Sequence, residues 1–560
     1  MRLKSQFLFA REENKSPRSA FKSMGYGLDG FKKPVIGIAN SFTELVPGHT
    51  NLRELADWVK RGVYAGGGTA VEFGVIATCD CLSNGHKGMH FSLPSRDIIA
   101  DEIETVAETS PLDGLVMLGS CDKIVPGMLM AAARLDIPSV VLCGGPMLAG
   151  IEFDGRSSDL TSLPEAFGQY SAGKITREEL FLLEDQCAPT CGSCQFIGTA
   201  NTMCCLAEVL GLSLPGSAAI PAVYAERKRA AQAAGEAVVN LVMKDIRPHA
   251  IVTRESIQNA IIVLNAIGGS TNAVLHLLAL AHEIGIPAAE VLDWFDSFGN
   301  TTPQVAKIYP ASVHTMQEFF MSGGIPQVLK EMESLLITGC MTATGRIVAE
   351  NIKEYPYMFK PDREIIKTVA EPFGTGAGVA ILRGNLAPDT CVTKPAAIHP
   401  SQRVFTGKAV VFDSEEAASE AILARKIQSG DVVVIRYEGP KGGPGMREMY
   451  IAMKHLYGFG LGTTTALITD GRFSGTNNGC FVGHISPEAA EGGPLAIVQD
   501  GDEITIDIPA RTLTLQVPDD EIVRRLKSWK APPPKYTKGL LSRYSKMVQS
   551  ASTGGILKPF

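Results

Sequence analysis

The segment Cys121-Asp122-Lys123 places a thiol, a carboxylate and an amine on three consecutive residues. It follows an apolar run at 114–118 that predicts a strand, and it precedes a run that predicts a helix. Thiolates suit iron–sulfur clusters, whereas carboxylates suit magnesium. A turn that carries both indicates a site where two different metals approach one small molecule. A buried cysteine beside a surface Asp–Lys pair is the alternative that this segment alone leaves open.

A second group of cysteines lies in the segment Cys187-Ala-Pro-Thr-Cys191-Gly-Ser-Cys194. Cys191 and Cys194 form a C-x-x-C pair in a loop that opens a predicted helix, and a helix start favours thiolates. The chain has only 12 cysteines in 560 residues, which is too few for a disulfide framework. Their close spacing in this segment indicates metal or redox chemistry instead. A thioredoxin-like motif and a zinc site are the alternatives, although structural zinc usually takes four ligands in two pairs.

Three acidic residues are candidate magnesium ligands. Asp80 and Asp122 each follow a predicted strand, and ligands of parallel sheets bind beyond the carboxyl ends of the strands. Glu448 lies in a glycine-rich segment at 439–449 that matches neither a Walker A nor a dinucleotide motif. Magnesium prefers several hard oxygens. Each acid alone could simply face solvent or cap a helix, but their joint occurrence favours a metal site.

Ser474 lies in Thr469-Asp-Gly-Arg-Phe-Ser-Gly475, directly after a predicted strand. A nucleophile elbow requires glycine two residues before the serine, and that position is Arg472. We interpret Ser474 as a candidate base near the metals. An ordinary turn serine is the alternative.

The elements that position these residues differ between the two ends of the chain. Strands predicted in the first third alternate with helices, which favours a parallel sheet covered on both faces; they lie at 35–39, 73–77, 114–118 and 139–142. A mainly helical part follows, with one long helical stretch at 256–283. After about residue 370, short β-runs separated by Gly–Pro turns predict a barrel-like domain. These runs lie at 379–382, 409–412, 431–436, 466–469, 504–508 and 513–517.

The predicted fold class is therefore α/β with two domains. An N-terminal domain at 1–370 is predicted to contain the parallel sheet flanked by helices, and we expect it to bind an iron–sulfur cluster and magnesium. A C-terminal β-barrel-like domain at 371–560 carries the Glu448 and Ser474 loops.

Composition narrows the class of protein. Hydrophobic content of 45% and charged content of 20% are ordinary for a soluble globular chain. The net charge of −7 and the lack of a lysine-rich block argue against nucleic acid as a partner. The N-terminal apolar patch is too short for a secretory signal, and no run reaches the roughly 18 apolar residues that span a bilayer. We expect no membrane partner and a cytoplasmic enzyme, or an organellar one in a eukaryote.

Over nearly its whole length, the chain closely resembles the dihydroxy-acid dehydratase/phosphogluconate dehydratase family. The segments that carry the resemblance are 88–96, 121–131, 192–194 with 199–203, 268–273, 385–389, 439–449, 469–475 and 482–494. The resemblance implies a homodimer that dehydrates a 2,3-dihydroxy acid to a 2-oxo acid. It also implies cluster ligands at Cys121 and Cys194, magnesium ligands at Asp80, Asp122 and Glu448, a carboxylated Lys123 that adds an oxygen ligand, and a base at Ser474.

One departure from the family concerns the type of cluster. Members with a [2Fe–2S] cluster carry cysteine in the loop after the first strand, where this chain has Gly48 in Val46-Pro-Gly-His49. The chain is similar to the branch associated with a [4Fe–4S] cluster, which we therefore favour over [2Fe–2S]. Cys191 is the expected third thiolate, and Cys79 and Cys81 are its rivals.

The expected mechanism uses both metals. Magnesium would bind the carboxylate and the C2 hydroxyl, iron would act as a Lewis acid on the C3 hydroxyl, and Ser474 would remove the C2 proton. The favoured substrates are 2,3-dihydroxyisovalerate and 2,3-dihydroxy-3-methylvalerate of branched-chain amino acid biosynthesis. An aldonate or phosphogluconate is the alternative, to which residues 79–81 and 476–478 could shift the preference.

Two other classes of protein are weighed against a dehydratase. A non-catalytic iron–sulfur sensor would need neither Ser474 nor the three acids. A redox enzyme would need an electron acceptor, and the chain shows no flavin or nicotinamide fingerprint.

Overall fold

The structure is a computed structural model that describes residues 3–9, 13–171, 173–376, 378–475 and 479–558. The segment at 476–478, which the sequence analysis linked to substrate preference, lies outside the described residues. Among the described residues, no helix combines the length and apolar character needed to cross a membrane.

A four-stranded parallel sheet forms the centre of the N-terminal half. Its strands are β1 (Val35–Asn40), β2 (Thr69–Gly74), β3 (Gly114–Gly119) and β4 (Ser139–Cys143), in the order β2-β1-β3-β4. Alternate residues of β3 enter different cores: Leu115 and Met117 pack on one face, and Val116 and Leu118 on the other. Helices therefore cover both faces, as the continuous apolar strands predicted.

The helices of this half surround the sheet and extend beyond it. They are Lys4–Phe9, Lys15–Ser23, Leu52–Ala65, Asp80–Ser83, Ser92–Thr109, Ile124–Leu135, Ser162–Ser171, Arg177–Gln186, Thr199–Val209, Ala225–Lys244, Pro248–Ile251, Arg254–Ala266, Asn272–Glu283, Ala288–Thr301, Met316–Met321, Gly324–Met332 and Val348–Glu354. Two-residue strand pairs join Glu152–Phe153 to Arg156–Ser157, and Pro303–Gln304 to Gly374–Thr375.

Two predicted elements differ from the structure. The strand expected at 73–77 is Thr69–Gly74, because the chain leaves the sheet after Gly74 to approach the acidic residues. The helical stretch expected at 256–283 is broken between Arg254–Ala266 and Asn272–Glu283. Gly268 lies in the break with φ +60°, a conformation that favours glycine.

The second half contains a closed eight-stranded barrel, which confirms the barrel-like prediction. Its strands are β5 (Ala380–Gly384), β6 (Ala387–Thr393), β7 (Val404–Phe412), β8 (Asp431–Ile435), β9 (Ala466–Thr469), β10 (Cys480–Ser486), β11 (Glu503–Asp507) and β12 (Thr512–Leu515). The order around the barrel is β6-β10-β9-β8-β7-β11-β12-β5. The helices here are Glu415–Leu423, Tyr450–Gly458, Asp519–Ser528 and Gly539–Met547.

Parallel pairing within the barrel positions the loops of interest. Strands β7, β8, β9 and β10 run parallel to one another. The carboxyl ends of β8 and β9 therefore lie side by side, and the chain that leaves them carries Glu448 and Ser474, respectively.

Candidate active site

Loops from both halves converge on a buried group of acids. The carboxylates of Asp80, Asp122 and Glu448 each offer an oxygen, and these oxygens lie within 4.8 Å of one another. Asp80 and Asp122 follow β2 and β3 of the sheet, whereas Glu448 comes from the barrel. The structure thus brings together the three acids that the sequence analysis selected as magnesium ligands.

Two buried cations lie among these acids. The Lys123 Nζ is 3.1 Å from Asp80 Oδ2 and 4.0 Å from Asp122 Oδ2. The Arg472 guanidinium is 2.9 Å from Asp80 Oδ2, and its other terminal nitrogen donates to Glu448. Both cations are fully buried, so their charges depend on the neighbouring carboxylates.

The electrostatic environment differs between the acids. Burial opposes ionisation of Asp80, but Lys123 and Arg472 outweigh it and hold the pKa of Asp80 well below its usual range. Burial, followed by the charge of Asp80, raises the pKa of Asp122 to about 7. The site therefore contains three carboxylates and two cationic side chains, Lys123 and Arg472. The additional carboxylate favours the binding of a metal cation.

Hydrogen bonds from the protein orient two of the acids. Ser92, at the start of the helix Ser92–Thr109, donates to Asp80. The Asn272 amide donates to Glu448 Oε1 at 3.0 Å and to the Phe473 carbonyl at 3.3 Å. The helix break before Asn272 therefore delivers this amide to the site.

Backbone pairing joins the two barrel loops. Glu448 and Arg472 form an isolated bridge, in which the Arg472 amide donates to the Arg447 carbonyl at 2.9 Å. Asp470 accepts backbone N–H groups from Tyr437, Glu438 and Ala489 at 2.9–3.1 Å and so fixes the start of the second loop.

Ser474 lies two residues after Arg472 and is half-buried. It follows Phe473, whose carbonyl shares the Asn272 amide with Glu448. On its other side, Gly475 lies so close to Gly198 that a Cβ on Gly475 would be 2.6 Å from the Gly198 Cα. The serine is thus held between the acid group and the start of the helix Thr199–Val209.

The candidate cluster cysteines lie next to the acids. Cys121 is buried in the turn between β3 and the helix Ile124–Leu135. The neighbouring Cys79 thiol, followed by burial, raises the pKa of Cys121, and burial followed by the charge of Asp122 raises the pKa of Cys194. These thiols stay protonated at neutral pH unless a metal displaces their protons.

The loop that carries Cys191 and Cys194 is docked against the sheet. The backbone N–H of Ser193 donates to the Gly145 carbonyl at 2.9 Å, and the backbone N–H of Gly192 donates to the Pro47 carbonyl at 3.0 Å. The side-chain amide of Asn201 donates to the Cys194 carbonyl at 2.5 Å. Cys194 is thereby anchored by the helix that follows it.

His49 holds the backbone of Cys121. Its Nδ1 lies 2.8 Å from the Ser41 carbonyl, an acceptor, so this nitrogen carries the proton. Its Nε2 then accepts the Cys121 backbone N–H at 3.2 Å. Burial lowers the pKa of His49 to about 4, which keeps the ring in this neutral form.

Sequence reasoning selected the three acids, Lys123, Ser474 and the cysteines, but it missed four groups that contact them: His49, Ser92, Asn272 and Arg472. Arg472 could have been predicted from the sequence. A buried group of three acids requires positive charge nearby, and this arginine lies two residues before Ser474.

The residues present fit both metals. Three converging carboxylates are a donor set for magnesium, and the buried thiols beside them are a donor set for an iron–sulfur cluster. The fold and site together define a candidate metal centre of an enzyme, formed between a parallel α/β sheet and a closed barrel.

Comparison with known proteins identifies the family. Residues 33–351 match the N-terminal model of the dihydroxy-acid/6-phosphogluconate dehydratases, and residues 364–555 match the C-terminal model. The chain is 50% identical over 543 residues to the dihydroxy-acid dehydratase of Acetivibrio thermocellus, and 49% identical over 541 residues to that of Methanococcus aeolicus; each comparison covers 97% of both chains. The protein belongs to the dihydroxy-acid/6-phosphogluconate dehydratase family.

Proposed function

We propose that the protein is a dihydroxy-acid dehydratase, a hydro-lyase that converts a 2,3-dihydroxy acid to a 2-oxo acid. The observation that carries the proposal is the convergence of Asp80, Asp122 and Glu448 beside the Cys121 thiol. The names of relatives at about half identity support the same activity. We favour 2,3-dihydroxyisovalerate and 2,3-dihydroxy-3-methylvalerate as substrates, in branched-chain amino acid biosynthesis.

The three acids would hold magnesium, and Cys121 and Cys194 would hold two corners of an iron–sulfur cluster. When bound, these metals supply Lewis-acid chemistry at the substrate carboxylate, the C2 hydroxyl and the C3 hydroxyl. A carboxylated Lys123 would exchange a positive charge for a further oxygen ligand. Its amine already lies 3.1 Å from Asp80.

Ser474 would act as the base. It takes the proton from C2, the C2–C3 double bond forms as hydroxide leaves C3, and the resulting enol tautomerises to the 2-oxo acid. A serine hydroxyl is a weak base alone, so the positive charge near it must favour its alkoxide.

Further parts of the proposal concern assembly and location. We propose a homodimer that works in the cytoplasm, with a [4Fe–4S] cluster favoured over [2Fe–2S]. Light scattering of the cluster-loaded protein tests the dimer, with a mass near twice 59.7 kDa expected.

The experiment that tests the activity compares two substrates. Protein purified without oxygen is incubated with magnesium and either 2,3-dihydroxyisovalerate or gluconate, and the 2-oxo acid is quantified. We expect kcat/KM to be at least about tenfold higher for the branched acid. A difference of a single methylene group between two substrates changes kcat/KM by roughly 10–200-fold. Higher kcat/KM for gluconate would reassign the substrate to a sugar acid, and no product from either would reject the dehydratase.

A further inference from the structure

Lys394 is a buried lysine whose amine lacks a partner. It directly follows strand β6, and its side chain is fully buried. Within the described part of the chain, its Nζ makes no hydrogen bond. The two other fully buried lysines among the described residues, Lys123 and Lys454, each contact a carboxylate. Because a buried ammonium without an anion is strongly disfavoured, the Lys394 amine differs in kind from these two ion pairs.

Strand pairing positions Lys394 beside the turn that carries Ser474. Val392, two residues earlier, packs with the core of the N-terminal half and not with the barrel core. Side chains alternate along a strand, so Lys394 faces the same way as Val392. Val392 pairs with Gly483 of β10, and a Cβ on Gly483 would lie 3.1 Å from the ring of Phe473. Phe473 is the residue directly before Ser474.

Two further contacts join the end of β6 to this turn. The Thr393 hydroxyl donates to the Phe481 carbonyl at 2.7 Å. The Phe481 ring in turn stacks on the Phe473 ring, with the ring centroids 5.5 Å apart. The backbone of Lys394 is therefore held next to the residues that precede Ser474 and to the strand that follows it.

The break between two helices borders the other side of this segment. A Cβ on Gly268 in the break would lie 3.8 Å from the Ala396 Cβ. The same break carries Ser270, whose hydroxyl lies 2.9 Å from Thr199 Oγ1, and it leads to Asn272, whose amide also donates to Thr199 Oγ1 at 2.9 Å. The segment that contains Lys394 thus borders a buried region rich in hydroxyl groups.

The chemistry of a buried amine complements that of a serine hydroxyl. Burial lowers the pKa of Lys394 to about 7, so a large share of the molecules hold a neutral amine at neutral pH. A neutral amine accepts protons, and buried lysines act as general bases for this reason. A serine hydroxyl reacts well only when another group takes its proton, and serine–lysine pairs do so in unrelated enzymes.

We propose that Lys394 accepts the hydroxyl proton of Ser474 as Ser474 removes the C2 proton of the substrate. The proposal rests on the proposed function, because it requires Ser474 as the base. The C2–H bond breaks, the Ser474 O–H bond re-forms with the substrate's proton, the C2–C3 double bond forms and hydroxide leaves C3. The Lys394 ammonium then gives its proton to that hydroxide, directly or through water. Water is the product, and both side chains return to their starting forms.

The test separates proton transfer from a structural role. Lys394→Met, Lys394→Arg, Ser474→Ala and the double variant Ser474→Ala/Lys394→Met are purified without oxygen. The kcat and KM for 2-oxo acid formation from 2,3-dihydroxyisovalerate are measured, together with iron and sulfide per chain and the midpoint of urea unfolding. The control is Lys408→Met, at an exposed lysine of β7.

We expect kcat of Lys394→Met to fall roughly 10²–10⁴-fold with KM and cluster content unchanged, as for loss of an acid–base group. Arginine cannot accept a proton, so Lys394→Arg should lose as much. The double variant should be as slow as Ser474→Ala alone, because the two residues act as one unit. The urea midpoint of Lys394→Met should equal or exceed that of the wild type, since methionine removes a buried polar group that has no partner. Lys408→Met should match the wild type.

Wild-type kcat in Lys394→Met or in Lys394→Arg would overturn the proposal. Multiplied losses in the double variant would overturn it as well, because they would show that the two residues act independently. Loss of the fold in both Lys394→Met and Lys394→Arg would replace the proposal with a structural role for the amine. Failure of the proposed function has a different signature, in which the folded, cluster-loaded wild type itself forms no 2-oxo acid.

Discussion

Arg472 of the barrel lies 2.9 Å from Asp80 of the N-terminal half, in a fully buried ion pair. The same guanidinium also donates to Glu448 and to the Ser92 hydroxyl. One side chain thus joins the loops after β2, β8 and β9. The acid group forms only when the two halves are correctly assembled around this arginine.

Replacement of Arg472 by lysine tests this role. Arg472→Lys keeps the charge but loses the planar fork that contacts Asp80 and Glu448 together. We expect kcat/KM to fall about 10²-fold, because a misplacement of reacting groups by about 1 Å can lower the rate by that factor. Arg525→Lys, at a partly exposed ion pair with Asp502, is the control and should retain activity. Wild-type kcat/KM in Arg472→Lys would contradict the positioning role.

Ser474→Ala tests the base. The substitution removes one hydroxyl from a half-buried turn, so we expect the cluster, magnesium binding and fold to persist. The kcat should fall roughly 10²–10⁴-fold, the range for an acid–base group. Steady-state turnover beside iron and sulfide analysis measures this. Near-normal kcat with a full cluster would remove Ser474 from the mechanism.

Asn272→Ala tests the support of Glu448. The Asn272 amide donates to Glu448 Oε1 at 3.0 Å, and loss of such an outer partner weakens metal binding about 10–100-fold. We expect the magnesium concentration for half-maximal activity to rise by that factor. The matched control is Asn300→Ala, at an exposed asparagine bonded to Arg511. Equal magnesium dependence in the two variants would show that Asn272 does not support the metal ligand.

Glu488 predicts a pH dependence of stability. Burial, followed by the charge of Asp470, raises its pKa to about 8, while its carboxylate accepts the amides of Lys441 and Gly442. Because the folded state holds this proton more tightly than the unfolded state, the stabilisation is full below about pH 4.5 and is lost as the pH rises through about 8.

Urea unfolding at pH 5 and pH 9 measures this effect. In Glu488→Gln the group cannot ionise, so the decline in unfolding free energy between the two pH values should shrink by roughly 2–5 kcal/mol. Glu503→Gln, at an exposed glutamate of β11, should decline as the wild type does. Identical declines in all three proteins would refute the pH dependence assigned to Glu488.

The strong periodic signals of the sequence predicted most of the framework. The strands Val35–Asn40 and Gly114–Gly119 were predicted within about a residue, because buried parallel strands have a distinct apolar pattern. Strands β6 and β10 were not predicted. They contain Pro388 with Asp389 and Gly483 with His484, residues typical of turns, and the barrel closure overrides that local preference.

The site was predictable where residue type alone indicates chemistry. Asp80 and Asp122 were selected as carboxylates that follow strands, and Glu448 as a carboxylate in a glycine-rich segment, because such oxygens suit magnesium. The structure brings the three together. Arg472, Asn272 and His49 act through distances that only the fold defines, across sequence separations of up to 392 residues.

We infer that the acid group and the thiols act on one dihydroxy acid. The inference is tested by the rate of 2-oxo acid formation from 2,3-dihydroxyisovalerate by protein purified without oxygen, before and after removal of iron and sulfide. We expect turnover that requires both magnesium and the cluster and that returns on reconstitution. Full turnover by protein stripped of its iron and sulfide would contradict it.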